Sequence, residues 1–163
     1  MKGEKFILKT ASADETINFG ERLGRLLASG HVIALVGELG AGKTTLVKGI
    51  VQGLGNKNRR AVKSPTFSLM HRYEGHIPIY HFDAYRLEDV QDMFDIGSDE
   101  IICGDGVSIV EWADKVSGCL PEKYLKITLT AVSKNERNIE LQSYGKCYDE
   151  IISTIAMVDT GRL

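Results

Sequence analysis

Cysteine, proline and tryptophan are scarce in this sequence, at three, three and one residues. Cys103, Cys119 and Cys147 are scattered, odd in number and form no C-x-x-C pair, which argues against a disulfide framework and a cysteine zinc site. That usage suits a reducing compartment, and a cytoplasmic location is expected. No apolar run approaches the ~20 residues of a membrane helix, and Met1-Lys2-Gly3-Glu4-Lys5 leads into only a short one. Neither a membrane span nor export is expected. Charge of one sign is also lacking: the formal net charge is −2, whereas an autonomous DNA or RNA binder carries a large basic surplus to neutralise phosphates. Local basic patches remain compatible with that balance. The sequence has no internal repeats, low-complexity tracts or heptads.

What is present suffices for one domain. With 163 residues, 43% of them hydrophobic, the chain can bury a full core, and a single domain over residues 1–163 is expected. Its most informative stretch is Gly37-Glu38-Leu39-Gly40-Ala41-Gly42-Lys43-Thr44-Thr45, between the apolar runs Val32-Ile33-Ala34-Leu35-Val36 and Leu46-Val47-Lys48-Gly49-Ile50. The pattern is strand, loop, helix, with the spacing G-x-x-x-x-G-K-S/T. Glycines let successive backbone N–H groups face one concavity, and the helix that follows adds its positive N-terminal end. Lys43 would reach the outer phosphates of a nucleoside triphosphate, and Thr44 would offer its hydroxyl to Mg²⁺.

Around this loop the sequence predicts a regular alternation of elements. Residues 5–10 read as a short strand, and Ser12-Ala13-Asp14-Glu15 matches the S-x-x-E capping box of a helix whose apolar face carries Ile17, Gly20, Leu23, Gly24 and Leu27, with Gly30 as its stop. After the loop, Leu46, Ile50 and Leu54 line a helix ending near Gly53 or Gly55. The basic segment Asn56-Lys57-Asn58-Arg59-Arg60 reads as a solvated connection, with an RNA or partner contact as the alternative. Residues 67–73 and 77–83 predict a hairpin, with Pro78 marking an edge. Residues 87–94 predict a short acidic helix, and Ser98 caps another. Val107-Ser108-Ile109-Val110-Glu111 is a buried strand, residues 124–132 and 138–144 form a second hairpin, and a last helix over residues 148–157 buries Ile151, Ile152 and Ile155. Together these predict a three-layer α/β domain with a mixed, largely parallel central sheet and antiparallel hairpins.

Hydrolysis would require more than the loop: an acidic residue at a strand end to hold Mg²⁺, and a group to orient water. Asp83 and Glu111 each close a predicted strand, and either could hold the metal. Thr66, following Pro65, resembles the hydroxyl of a switch segment, and Arg86 stands close enough to Asp83 to supply positive charge or form an ion pair. Trp112 reads as a core or lid aromatic. His71, His76 and His81 recur at five-residue intervals, which alternates strand faces and predicts no chelating cluster.

Taken together, residues 37–45, Val62-Lys63-Ser64-Pro65-Thr66-Phe67, Tyr80-His81-Phe82-Asp83-Ala84-Tyr85-Arg86-Leu87 and Ile109-Val110-Glu111-Trp112 resemble the TsaE (YjeE) family over nearly the whole chain. The resemblance implies a P-loop fold and ATP hydrolysis with Mg²⁺, weak in isolation. It also implies coupling to a TsaB–TsaD assembly that transfers threonylcarbamoyl to the tRNA adenosine beside the anticodon, so tRNA would be met indirectly. By position it implies phosphate and metal roles for Lys43 and Thr44, a switch role for Thr66 and an acidic pair in Asp83 and Glu111. It further implies that Arg137 lies near the nucleotide and Ser12 and Ala13 near the adenine. Glu38 and Ala113 stand where family members often have aspartate and proline, and neither removes a chemical group. A small-molecule kinase is disfavoured by the lack of a late arginine-rich lid, and a GTPase by the missing aspartate in Asn56-Lys57-Asn58-Arg59. A nucleotide-binding switch without essential hydrolysis is the remaining alternative.

Overall fold

The computed structural model describes residues 2–58 and 60–159. Arg59, within the basic segment, lies outside the described residues. Seven strands form one sheet in the order β1-β7-β6-β2-β5-β4-β3. The strands are β1 (Lys2–Thr10), β2 (Val32–Val36), β3 (Met70–Tyr73), β4 (Ile79–Asp83), β5 (Val107–Glu111), β6 (Tyr124–Ala131) and β7 (Arg137–Tyr144). β2 is central and pairs in parallel with both β5 and β6, and β4 continues the parallel run beyond β5. β3, β7 and β1 complete the sheet antiparallel. The mixed α/β sheet expected from the sequence is thus present.

Alternation along the strands distributes side chains to two cores. Ile33, Leu35, Ile79, Val107 and Ile109 face one side, where they pack with α1 (Ala13–Leu26), α2 (Lys43–Gly53) and α5 (Lys146–Asp159). Val32, Ala34, Phe82 and Val110 face the other, under α3 (Gln91–Asp95), α4 (Ser98–Ile102) and a 3-10 helix, Ala113–Cys119. The result is the three-layer architecture. From α5, Tyr148 reaches back under the sheet, where its buried hydroxyl accepts from Val32 N–H at 2.9 Å and burial pushes its phenol up to about 12.

Several boundaries differ from expectation for local reasons. The strand predicted over residues 67–73 begins only at Met70, because Leu69 N–H donates to the Pro65 carbonyl at 2.7 Å and closes a turn, with Leu69 at φ 66. β4 starts after Pro78. α3 begins at Gln91 rather than near residue 87, since the Asp89 carboxylate accepts from Gln91 N–H and holds the preceding residues in a turn. Gly97, at φ 79, caps α4 in place of the buried Ser98. α1 starts as predicted, Ser12 accepting from Glu15 N–H, but ends at Leu26, well before Gly30.

Glycine makes the close contact of α1 with α2 possible. A Cβ on Gly49 would lie 2.1 Å from the Ile17 carbonyl oxygen, and one on Gly24 would lie 2.3 Å from that of Ile50. Gly20 faces Gly49 and Gly24 faces Gly53, so the backbones touch directly. Because both pairs advance together along the chain, the helices cross in the same sense and bring their N-terminal ends side by side. Gly49→Ala is expected to lower stability by about 2–3 kcal/mol despite alanine's better helix propensity, whereas Asn18→Ala on the exposed face of α1 should change it by less than about 0.5 kcal/mol; urea midpoints measure both.

Candidate nucleotide and metal site

The loop between β2 and α2 is built by close packing and left-handed backbone. Gly37 packs so tightly that a Cβ there would meet the Leu129 carbonyl oxygen at 2.6 Å, and Gly42, at φ 101, is the N-cap of α2. No side chain caps α2 at that position, so its first N–H groups face the cleft beside the loop. Lys43 is buried, and its Nζ donates to the carbonyls of Gly37 and Glu38 (the latter at 2.9 Å) while lying 4.1 Å from the Trp112 ring centroid. Burial holds its ammonium below the usual lysine range, opposed by the charges of Glu111, Asp83, Asp114 and Glu38.

The two strand-end carboxylates meet across the parallel β4–β5 pair, where Asp83 and Glu111 are register partners. Parallel register points both side chains to the α2 side, and both are buried. Glu111 Oε1 accepts from the Thr44 hydroxyl at 3.0 Å, and its Oε2 lies 2.6 Å from His81 Nε2. Asp83 serves a different set. Its Oδ2 accepts from the hydroxyls of Thr66, at 3.0 Å, and Ser64, and its Oδ1 accepts from Tyr85 N–H at 2.9 Å.

A cleft of about 360 Å³ gathers most of the expected residues: it is lined by Leu39, Gly40, Gly42, Lys43, Thr44 and Thr45 together with Thr66, Asp83, Glu111, Trp112 and Arg137. Gly37 and Glu38 contribute through their carbonyls, and Ala41 is buried behind the loop. Arg137 opens β7 and donates to the carbonyls of Ala41 at 2.9 Å and Gly40 at 3.2 Å, clamping the loop from the far hairpin. Ala13 lines a small adjoining recess with Thr16, Gly42 and Thr45, whereas the Ser12 hydroxyl is taken up in capping α1. Arg86 stands apart: its guanidinium lies 4.0 Å from the Phe67 ring centroid, outside the residues lining the cleft, and it joins no ion pair among the described residues. A larger groove of about 570 Å³ runs along β1 and α1 and contains neither the loop nor the acidic pair.

Ser64, Tyr85 and His81 lie within the motifs quoted above, but the sequence assigns them no role at the site. The signal for His81 was available: two residues before Asp83 on one strand, it shares the face of that carboxylate. His71 and His81 are register partners that both approach the Tyr73 hydroxyl, and His81 also meets Glu111. The Thr44 hydroxyl and the Glu111 carboxylate, 3.0 Å apart, suit Mg²⁺, which takes one or two carboxylates and completes its shell with phosphate and water, and Asp83 lines the same cleft.

Comparison with known proteins places the chain in a family. Residues 10–139 match the family described as threonylcarbamoyl adenosine biosynthesis protein TsaE. The tRNA threonylcarbamoyladenosine biosynthesis protein TsaE of Treponema pallidum (strain Nichols) is 43% identical over 128 residues, covering 78% of this chain and 93% of that protein. The protein of the same name from Bacillus subtilis (strain 168) is 37% identical over 152 residues, covering 93% and 94%. The crystal structure of Bacillus subtilis YdiB superposes with a TM-score of 0.80 at 30% identity, covering 98% of each chain. With a family match over most of its length and relatives of this similarity, the chain belongs to the TsaE family.

Proposed function

We propose that this chain is a Mg²⁺-dependent ATPase, weak alone, that supports threonylcarbamoyl transfer to the tRNA adenosine beside the anticodon. It acts in the cytoplasm with a TsaB–TsaD complex and meets tRNA through that complex. The observation that carries the reading is the Thr44 hydroxyl, one residue past the loop lysine, held 3.0 Å from a buried strand-end carboxylate, Glu111. Membership of a family described by threonylcarbamoyl adenosine biosynthesis supports the pathway, and among the described residues no helix is long and apolar enough to cross a membrane.

In this reading the loop amides and the α2 N-terminus receive the phosphates, and Lys43 exchanges its hold on the loop carbonyls for the outer phosphate oxygens. Thr44 and Glu111 hold Mg²⁺, and Asp83 steadies the segment bearing Ser64 and Thr66 so that Thr66 can serve as the switch hydroxyl. Bound there, Mg²⁺ would neutralise charge on the phosphate oxygens. Arg137 keeps the loop closed against the β6–β7 hairpin, Ala13 lies beside the base, Trp112 walls the cleft, and Arg86 travels with the Phe67 turn.

Phosphate release by the purified chain is expected to be slow and to rise when the TsaB–TsaD pair and tRNA are added; phosphate appearing on an added metabolite would instead indicate a kinase. Glu111→Gln should still bind nucleotide yet fail to support tRNA modification, and modification at the normal rate through repeated rounds would remove hydrolysis from the proposal. Lys43→Ala should weaken nucleotide affinity or abolish turnover, and an unchanged ATPase rate would refute the role of the loop.

A further inference from the structure

Behind Glu111 runs a buried line of polar side chains that leads away from the cleft. His81 is 0% exposed on β4; its Nε2 lies 2.6 Å from Glu111 Oε2, and its Nδ1 lies 3.1 Å from the Tyr73 hydroxyl on β3. That hydroxyl donates to the Lys63 carbonyl at 3.2 Å, and His71 Nδ1 stands 3.4 Å away. Burial, with the nearby Glu111 charge, holds the Tyr73 phenol above its ordinary value, so it keeps the proton it donates. Lys63 immediately precedes Ser64, and Ser64 and Thr66 donate to Asp83. The segment 63–66 is therefore held twice, once by each carboxylate of the site: directly by Asp83, and through His81 and Tyr73 by Glu111.

Packing alone does not call for this arrangement. Apolar side chains of similar volume would fill the space between β3, β4 and β5 without the cost of desolvating an imidazole, a phenol and a carboxylate. Strand pairing brings the line together: β3 has only four residues, and its register sets His71 against His81 and Tyr73 against Ile79 at the sheet edge. Once His81 engages Oε2, the other oxygen of Glu111 is left turned to Thr44. A partner that orients a metal-binding carboxylate in this way usually matters to metal affinity about 10–100-fold.

We propose that His81 and Tyr73 are positioning residues that couple the Glu111 carboxylate to the segment carrying Thr66. His81 holds Glu111 with Oε1 toward Thr44, and Tyr73 passes that position on to the Lys63 backbone. Metal-nucleotide binding at one end and ordering of residues 63–66 at the other are thereby one equilibrium, and each end responds to the other. This inference rests on the reading of Thr44 and Glu111 as the residues that hold Mg²⁺.

The test uses the whole chain, a non-hydrolysable ATP analogue and two readouts: the Mg²⁺ concentration that gives half-maximal analogue affinity by calorimetry, and amide hydrogen exchange over residues 61–68. In the unsubstituted chain, Mg²⁺ should tighten analogue binding and protect that segment. His81→Leu is expected to raise the Mg²⁺ requirement about tenfold or more while leaving metal-free analogue affinity within about twofold, and His81→Gln, which keeps an N–H within reach of Glu111, should recover most of the loss. Tyr73→Phe should keep the Mg²⁺ requirement within about threefold but remove the ligand-induced protection. An unchanged Mg²⁺ requirement in folded His81→Leu, or normal protection in Tyr73→Phe, overturns the proposal. Should His81→Leu not fold, His81→Gln and Tyr73→Phe decide: a Mg²⁺ requirement for His81→Gln within about threefold of the unsubstituted chain together with lost protection in Tyr73→Phe supports the coupling, and any other pair of results overturns it. Analogue binding indifferent to Mg²⁺ in the unsubstituted chain is a different failure, because it removes the metal site itself and this coupling with it.

Discussion

Backbone meets backbone where α1 crosses α2, and the placement of the site follows from that contact. Gly20 and Gly24 lie against Gly49 and Gly53 with no side chain between them. Helices normally pack 8–10 Å apart because side chains intervene; four glycines remove that spacing. The start of α1 is thereby brought beside the start of α2, and the small recess shared by Ala13, Thr16, Gly42 and Thr45 results. Bulk at any of the four positions would force the helices apart and tilt the loop that α2 anchors.

The same economy appears in how the loop is held. A loop rich in glycine is cheap to bend and costly to order, and here two distant strands and the loop's own lysine share that cost. The Arg137 guanidinium binds its carbonyls from β7, the Leu129 backbone packs against Gly37 from β6, and Lys43 turns back to bind it from within. The β6–β7 hairpin therefore supports the site from one side, while β4 and β5 deliver the carboxylates from the other.

Burying two carboxylates at adjacent strand ends is unfavourable unless every oxygen is occupied. In this protein all four oxygens have partners, and the partners are chemically informative: a hydroxyl from α2, an imidazole from β4, two hydroxyls from the 63–66 segment and a backbone N–H. Glu111 thus looks toward the loop and Asp83 toward the segment after Val62, a division of labour between residues that are equivalent in the sequence.

Local order was legible in the sequence wherever a short-range signal sufficed. The loop, the strand before it, the helix after it and the Ser12 cap are all present as expected, because each depends on glycine geometry, side-chain periodicity or a capping hydroxyl within a few residues. Boundaries failed where a side chain or a turn competed with the regular element, as at Asp89 and at the Pro65 turn that shortens β3. The contacts that define the site were not legible. The 30-residue separation of His81 and Glu111, the 67 residues between Thr44 and Glu111 and the 96 between Ala41 and Arg137 leave no trace in local patterning. Which carboxylate faces Thr44, and how Arg137, expected near the nucleotide only from the resemblance, clamps the loop, are set by strand order and register. Those depend on the burial of whole sheet faces, a property that no short stretch of sequence carries.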